Sequence, residues 1–510
     1  MLDALAQLPR PSMATAACVL AALVVVYAGA WIVYTRFFHP LARYPGPFWA
    51  SVSRFWLVNQ IRAAHADETQ RALHAQLGPI VRIAPNEVAI ADPEAIKTIY
   101  GINSGFTKTD FYTPWRPAWC RYPDAFTHLD ESLHASRRRI TNNLYSMSSI
   151  ARAEESIDVC TQVLLDKMHS FAASGATFDM AGWAQMYAFD VIGQLFFSRM
   201  FGFLAAGHDH RGYIRSLDLL LPILCAASVM PTYLRNAFLV GGALVQPRVL
   251  KAMTSLQDID RAAEQCIAER HAQLEAGNAA GQDDKKDILA SLFATMRDKG
   301  DKVDFGRTEV KVEVYVALFA GSDTTAAAVS SVLYHLMKAP AVYDRLTAEI
   351  DEATAAGRLS TPIQYKEAAA NAAAAGLPYL DACIKEGMRL HPSVGLTLPR
   401  HVPAGGCEIA GAWFPAGTRV GVNAAVVHRN RDIFGADADI FNPDRWFRAD
   451  AARMDRYMFQ ISLCEMYKMI PELLRAYRLE LVHPERAWTT HNYWFNKPSN
   501  VETRVTARSR

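Results

Sequence analysis

None of the eight cysteines, Cys18, Cys120, Cys160, Cys225, Cys266, Cys383, Cys407 and Cys464, stands in a CxxC pair or a zinc-like cluster. That absence excludes a zinc-ribbon scaffold, and their apolar or helical surroundings read as reduced, cytosol-facing thiols or small core residues. An excess of one charge is missing too. With 53 basic against 51 acidic side chains and a formal charge of +2, the chain has no electrostatic footprint for nucleic acid. Also absent is any Pro/Gly/Ser-rich linker or long charge run that would cut the 510 residues into comparable blocks. Average domain size alone would suggest about three domains; the missing linkers make one large domain the expectation. What the chain does hold is apolar material, 51% of its residues, enough for a large core.

The first concentration of that material is at the N-terminus. No charged residue occurs from Pro11 to Thr35, and Ala17 to Tyr34 is an apolar run long enough to cross a bilayer, which takes about 20 residues. It exceeds the apolar core of a signal peptide, aromatic Tyr27, Trp31 and Tyr34 gather toward its end, and no small-residue cleavage site follows. Arg36, Arg43, Arg54 and Arg62 come after it, against Asp3 and Arg10 before it, so the positive-inside rule puts the body on the cytosolic side. The expected organisation is a membrane anchor over residues 1–36 and a single domain over 37–510. Between them YPGP (Tyr44 to Pro47) reads as a stiff spacer or an ordinary turn, since its prolines forbid a helix.

Val81 to Ile90 reads as strand, Pro-Asn-Glu break and second strand, and similar short runs occur from Gly405 to Val422. Helical periodicity dominates from Ser132 to Ala272 and from Glu309 to Lys338. The pattern predicts a mainly α body with a minor β region. Ala276 to Asp287 and the Ala-rich stretch from Ala368 to Gly376 read as exposed, mobile connections.

Five motifs carry chemistry. In Glu313 to Met337 an apolar helix contains AGSDTT (Ala320 to Thr325), whose polar side chains compete for backbone hydrogen bonds and whose glycine lowers helix propensity. A polar kink in a buried helix is the alternative to a functional insertion. EGMR (Glu386 to Arg389) sets Glu386 and Arg389 on one helix face, a pair common on solvated helices. FNPDRW (Phe441 to Trp446) supplies Arg445, and LPR (Leu398 to Arg400) supplies Arg400. Earlier, LHASRRRITNNLYS (Leu133 to Ser146) places His134 and Arg138 one helical turn apart, where a guanidinium can grip a carboxylate in a two-pronged fork or simply end a basic surface helix.

In order and spacing these motifs resemble the cytochrome P-450 family of haem-thiolate monooxygenases, of microsomal fungal type, and the resemblance covers nearly the whole chain after the anchor. It implies the cytochrome P-450 fold behind one N-terminal transmembrane helix, a haem cofactor, electrons from NADPH through a reductase, and oxidation of a lipophilic small molecule in secondary metabolism at the endoplasmic reticulum membrane. It further implies roles for residues. Asp323 and Thr324 would relay protons where the helix opens locally, beside Ala320 and Gly321 at the cofactor. His134, Arg138 and Arg400 would hold the haem propionates, and Glu386, Arg389 and Arg445 would form a buried structural ion-pair network. Arg137 and Arg139, turned elsewhere on the helix, would offer positive charge to an acidic electron donor.

The family's signature then fails. After RYMFQ (Arg456 to Gln460) the resemblance calls for a glycine-rich loop, Phe-x-x-Gly-x-x-x-Cys-x-Gly, that presents the iron's thiolate ligand; here the chain runs directly into ISLCEMYKMIPELLRAY (Ile461 to Tyr477). No metal ligand is assigned. Cys464 lies inside an amphipathic helical pattern with no glycine nearby and reads as a packing residue. Two explanations stand: a monooxygenase whose chain here lacks a short segment, by splicing or in the gene model, and is impaired; or a membrane-anchored pseudoenzyme that binds apolar ligands or partner proteins.

Overall fold

The computed structural model of the protein describes residues 12–280, 287–369, 376–458 and 463–508. Helix α1 (Met13–Val33) starts at Ser12, whose hydroxyl accepts the Thr15 N–H at 3.1 Å. None of its residues is buried. With its continuation to Phe38 it is long and apolar enough to cross a membrane. Trp31 Nε1 donates to Val52 O at 2.8 Å, tying its end to the body. The Tyr44–Pro47 segment is not a free spacer: Tyr44 stacks on Phe414 at 5.1 Å and Arg82 N–H donates to Pro45 O at 2.7 Å. A Cβ on Gly46 would lie 2.2 Å from Arg82 O, so glycine is what lets the segment lie flat on the sheet beneath.

Strands β1 (Ile80–Ala84) and β2 (Glu87–Ile90) form a hairpin with Ile80 opposite Ile90. Strand β3 (Thr107–Lys108) is short. Helix α2 (Glu131–Thr141) is capped by the Asp130 carboxylate, which accepts the Ser132 and Leu133 N–H groups. There follow α3 (Glu154–Ser174), α4 (Met180–Phe197), α5 (Tyr213–Val229), α6 (Pro247–Ala280), α7 (Ile288–Val303), α8 (Arg307–Lys338) and α9 (Pro378–Leu390). Strands β4 (Arg400–His401), β5 (Cys407–Ile409), β6 (Ala412–Phe414) and β7 (Arg419–Val422) precede α10 (Leu463–Ala476), and β8 (Tyr477–Leu481), β9 (Thr489–Tyr493), β10 (Phe495–Ser499) and β11 (Glu502–Ala507) close the chain. The largest sheet has the order β1-β2-β7-β4-β3. In it β2 and β7 are parallel, and β3 meets β4 antiparallel with Lys108 opposite Arg400. Mainly α with a minor β region is the observed class.

The helix α8, about 48 Å long at 1.5 Å per residue, is the axis of the molecule. Val310, Val314, Leu318, Ala327, Val332 and Leu336 along it are buried, and α4, α9 and α10 pack against it. One apolar cluster runs from Leu57 to Val505. The connections expected to be mobile need correction. Residues 276–280 belong to α6, and Asp287 is buried because it caps α7 through Ala290 N–H at 2.7 Å and accepts from Arg270 Nε at 2.6 Å. A polar stretch hid one carboxylate with a structural duty. Ala368 and Ala369 are buried as well, while residues 281–286 and 370–375 lie outside the described residues.

Candidate cofactor and substrate cleft

Along α8 most side chains are buried, but Glu313, Val316, Ala317, Ala320, Gly321 and Thr324 are only partly so. Their spacing of three and four puts them on one face, which is the least enclosed side of an otherwise buried helix. Val394 and Leu398, also partly exposed, extend its apolar character into the segment before β4. The expected local opening of the helix at AGSDTT is absent: α8 is continuous from Arg307 to Lys338. The reason is where the polar side chains go. Thr324 Oγ1 donates back to Ala320 O at 3.1 Å, and Asp323 Oδ1 accepts from Gln185 Nε2 on α4. Neither draws a backbone group away from the helix ladder. Gly321 turns toward α4, where a Cβ would come within 2.7 Å of Ile192 Cδ1.

Asp323 and Thr324 do not share a direction. Thr324 lies on the partly exposed face, whereas Asp323 is 2% exposed, its Oδ2 has no hydrogen-bond partner, and its carboxyl is pushed up by burial against the lowering pull of Lys497. Lys497 in turn donates to Asp218 at 2.5 Å. Gln185 and Lys497 are partners that sequence spacing could not reveal, because they arrive from α4 and β10.

At one end of the partly exposed face of α8 four basic groups gather. Lys108 is 9% exposed, donates from Nζ to Ala125 O at 2.6 Å, and has its pKa lowered to about 8 by burial and by the charges of Arg400 and Arg138, against Glu131 and Asp124. Arg400 donates to Tyr112 Oη at 2.5 Å. Arg138 lines a recess with Ala125, Asp124, Thr141, Val312 and Glu313. His134 sits 3.3 Å from Glu131, and burial with Lys108 nearby lowers its pKa. Lys108 had no signature in the sequence: strand pairing places it beside Arg400 from more than half the chain away. Arg137 offers no free charge. It donates to Val303 O at 3.1 Å and Asp304 O at 2.6 Å and lies 3.5 Å over the Tyr122 ring.

On the far side of α9 the carboxylate of Glu386 accepts from Arg389 at 2.8 and 2.9 Å, from Arg445 Nε at 2.9 Å, from Trp446 Nε1 at 3.1 Å and from Asn442 N–H at 2.9 Å. All three charged side chains are fully buried. Arg389 spends further donors on His428 O and Ala438 O, so the charges are both paired and hydrogen-bonded, as burial demands. Asp437 joins through Arg445 at 3.0 Å. Burial raises its carboxyl, but hydrogen bonds from Asn442 and Arg445 outweigh that and hold it at about 2.

The family model described as Cytochrome P450 matches residues 45–494 of this chain. The chain belongs to the cytochrome P450 family. Among its relatives, the cytochrome P450 monooxygenase gsfF of Penicillium aethiopicum is 40% identical over 496 residues, 94% of this chain and 96% of the relative. The cytochrome P450 monooxygenase cicH of Emericella nidulans is 32% identical over 515 residues, 96% and 99% of the two chains. A pisatin demethylase of Fusarium vanettenii is 32% identical over 488 residues, 93% and 92%.

The P450 family implies haem, and this P450 chain meets part of that group. A helix face of small residues suits a flat ring, and Lys108, Arg138 and Arg400, which have no ion-pair partner among the described residues, suit its carboxylates. Iron is another matter. The junction at Gln460 and Ile461 lies outside the described residues. Among the described residues near it, Cys464 is 1% exposed and its thiol is pushed up to about 12 by burial, with Glu465 adding to the effect. Enclosed in the core within α10, Cys464 offers no open approach, and no group of three or more His, Cys, Asp or Glu able to hold a metal occurs among the described residues. Among the described residues the basic side chains suit the porphyrin's carboxylates, and no donor set for its iron occurs.

Proposed function

We propose that the chain is a membrane-anchored haem monooxygenase in its architecture, acting on a lipophilic small molecule of secondary metabolism, and that this polypeptide is impaired for want of its iron ligand. Residues 1–36 anchor it, residues 37–510 form one catalytic domain facing the cytosol from the endoplasmic reticulum membrane, and an NADPH-dependent reductase is its electron donor. The apolar lining by Val316, Ala317, Val394 and Leu398 supports a lipophilic substrate, and relatives named monooxygenases support the reaction class. In this reading haem would supply the oxygen chemistry, for which the chain would have to provide a thiolate ligand. Thr324, on the partly exposed face, and Asp323, buried beside Gln185, would handle protons, Lys108, His134, Arg138 and Arg400 would hold the cofactor's carboxylates, and Ala320 and Gly321 would meet its face.

The observation that carries the impairment is the direct passage from RYMFQ into ISLCEMYK, with Cys464 buried and protonated behind it. Retention of the rest of the site favours recent loss of a short segment over a long-standing pseudoenzyme that only binds ligands or partners. A reduced, carbon-monoxide difference spectrum of the expressed chain is expected to lack the Soret band of thiolate-ligated haem, and that band would overturn the proposal. Sequencing the transcript across codons 460 and 461 separates the two origins: a message that always lacks the loop supports the pseudoenzyme.

A further inference from the structure

Acids make up one residue in ten of this chain, yet none occurs from Ala4 to Ala66 or from Leu219 to Gln257. Both stretches carry cations, and the structure divides these by burial. Arg54 and Arg235 turn inward and borrow acids from other elements, Glu87 at 2.6 Å and Asp110 at 3.1 Å. Arg36, Arg43, Arg62, Arg248 and Lys251 stay exposed, and among the described residues none of the five has a carboxylate in salt-bridge range. What they touch is aromatic or neutral: Arg36 lies over the Phe48 ring at 5.6 Å, and Arg43 lies over Tyr44 at 5.1 Å and donates to Trp413 O at 2.7 Å. Large apolar side chains turned outward surround them. Arg36 precedes exposed Phe37 and Phe38, Arg62 stands near the end of the helix that exposed Phe55 begins, and Arg248 and Lys251 follow exposed Leu244 and Val245 into α6. The two stretches meet where the helix Phe55–Ala63 packs on α5, and the first is continuous with α1, whose length and apolarity suit a bilayer. Arginine and lysine on such a surface stay at headgroup level while their apolar neighbours sink past it, and cations unaccompanied by any acid favour headgroups of negative charge.

We propose that this face selects anionic phospholipid, with Arg36, Arg43, Arg62, Arg248 and Lys251 meeting the headgroup phosphates and carboxylates of a leaflet that contains phosphatidylserine. The guanidinium groups can take a phosphate or carboxylate in a two-pronged grip, and the ammonium of Lys251 adds a point charge. The inference rests on the reading above that residues 1–36 anchor the chain, and it adds a choice among lipids made by the body beside that anchor.

The test places the full chain in phosphatidylcholine vesicles doped with spin-labelled lipid and reads, by electron paramagnetic resonance, the fraction of label slowed at the protein. Spin-labelled phosphatidylserine is expected to associate about threefold or more strongly than spin-labelled phosphatidylcholine at about 10 mM salt, a preference that shrinks toward unity at about 1 M salt, where charge is screened within about 3 Å. Replacing Arg62, Arg248 and Lys251 together (Arg62→Gln, Arg248→Gln, Lys251→Gln) removes about half of that preference or more. Lys299→Gln, Lys302→Gln and Arg307→Gln, which take as much charge from exposed positions around the α7–α8 turn, leave it unchanged. Equal association of the two labels with the parent overturns the proposal, as does a preference that persists at high salt. A preference lowered alike by both triple variants reports net charge alone, and one that the first triple variant keeps in full belongs to the flank of α1; either result removes the body's role. If alkaline carbonate washes the parent from these vesicles, the anchor reading falls as well, whereas retention without preference sinks the headgroup proposal and leaves the anchor standing.

Discussion

Single side chains show how differently two charged clusters were written. Glu386 and Arg389 lie three apart on one helix, the family resemblance adds Arg445 from its hexapeptide, and the buried carboxylate joins all three. Lys108 is the opposite case. Its neighbour Arg400 is nearly three hundred residues away, and only strand register brings them together. The consequence is measurable as pH dependence. The folded pKa of Lys108 is lowered to about 8 from an ordinary value of 10.5, so between those limits the unfolded chain holds the proton more often. Stability therefore rises with pH through that window. Relative to Lys108→Met, the free chain is expected to gain about 1–3 kcal/mol in urea unfolding between pH 8 and pH 10. Parallel curves for the two proteins would mean that Lys108 is solvated in the folded state.

Helices were legible by period, but their closest approaches were not. The crossing of α8 and α9 depends on Gly387 inside EGMR, where an added Cβ would lie 2.6 Å from Val332 Cγ2 and 3.0 Å from its Cα. The same crossing carries a hydrogen bond from Ser331 Oγ to Gly387 O at 2.8 Å. Backbone cannot yield as a flexible side chain can. Alanine would gain about 1 kcal/mol in helix propensity, yet overpacking of a tight contact costs about 1–3 kcal/mol, so Gly387→Ala is expected to lower stability on balance. Adding Val332→Ala recovers only the part due to the Cγ2 clash. A thermal melt of the single variant at or above the parent's would show that α9 can shift on α8. The unbroken course of α8 through AGSDTT teaches the related lesson: glycine and hydroxyl side chains read as helix-breaking until their partners, Gln185 and the Ala320 carbonyl, are known.

At the scale of the whole molecule α1 is not the only apolar surface turned outward. Phe37, Phe38, Trp49 and Phe55 are 75, 73, 65 and 51% exposed, and Tyr233, Val240, Leu244 and Val245 are 83, 64, 83 and 81% exposed. These two groups lie at the same end. The helix Phe55–Ala63 packs against α5, and Arg54 Nε donates to Val229 O at 3.0 Å, just before the chain enters the second group. A scattered exposed leucine needs no explanation, but a patch continuous with a membrane-length helix does. Each large side chain sunk into the bilayer margin is worth about 1.5–3 kcal/mol, so several together would hold the body to lipid without α1. A chain beginning at Leu41 is expected to be released from membranes by alkaline carbonate, yet to sediment with neutral phosphatidylcholine vesicles at physiological salt, since the contact is apolar. Replacing Tyr233, Leu244 and Val245 with serine in that shortened chain should leave it in the supernatant. If the shortened parent already stays in the supernatant, α1 alone holds the protein to its membrane and the exposed patch serves another partner.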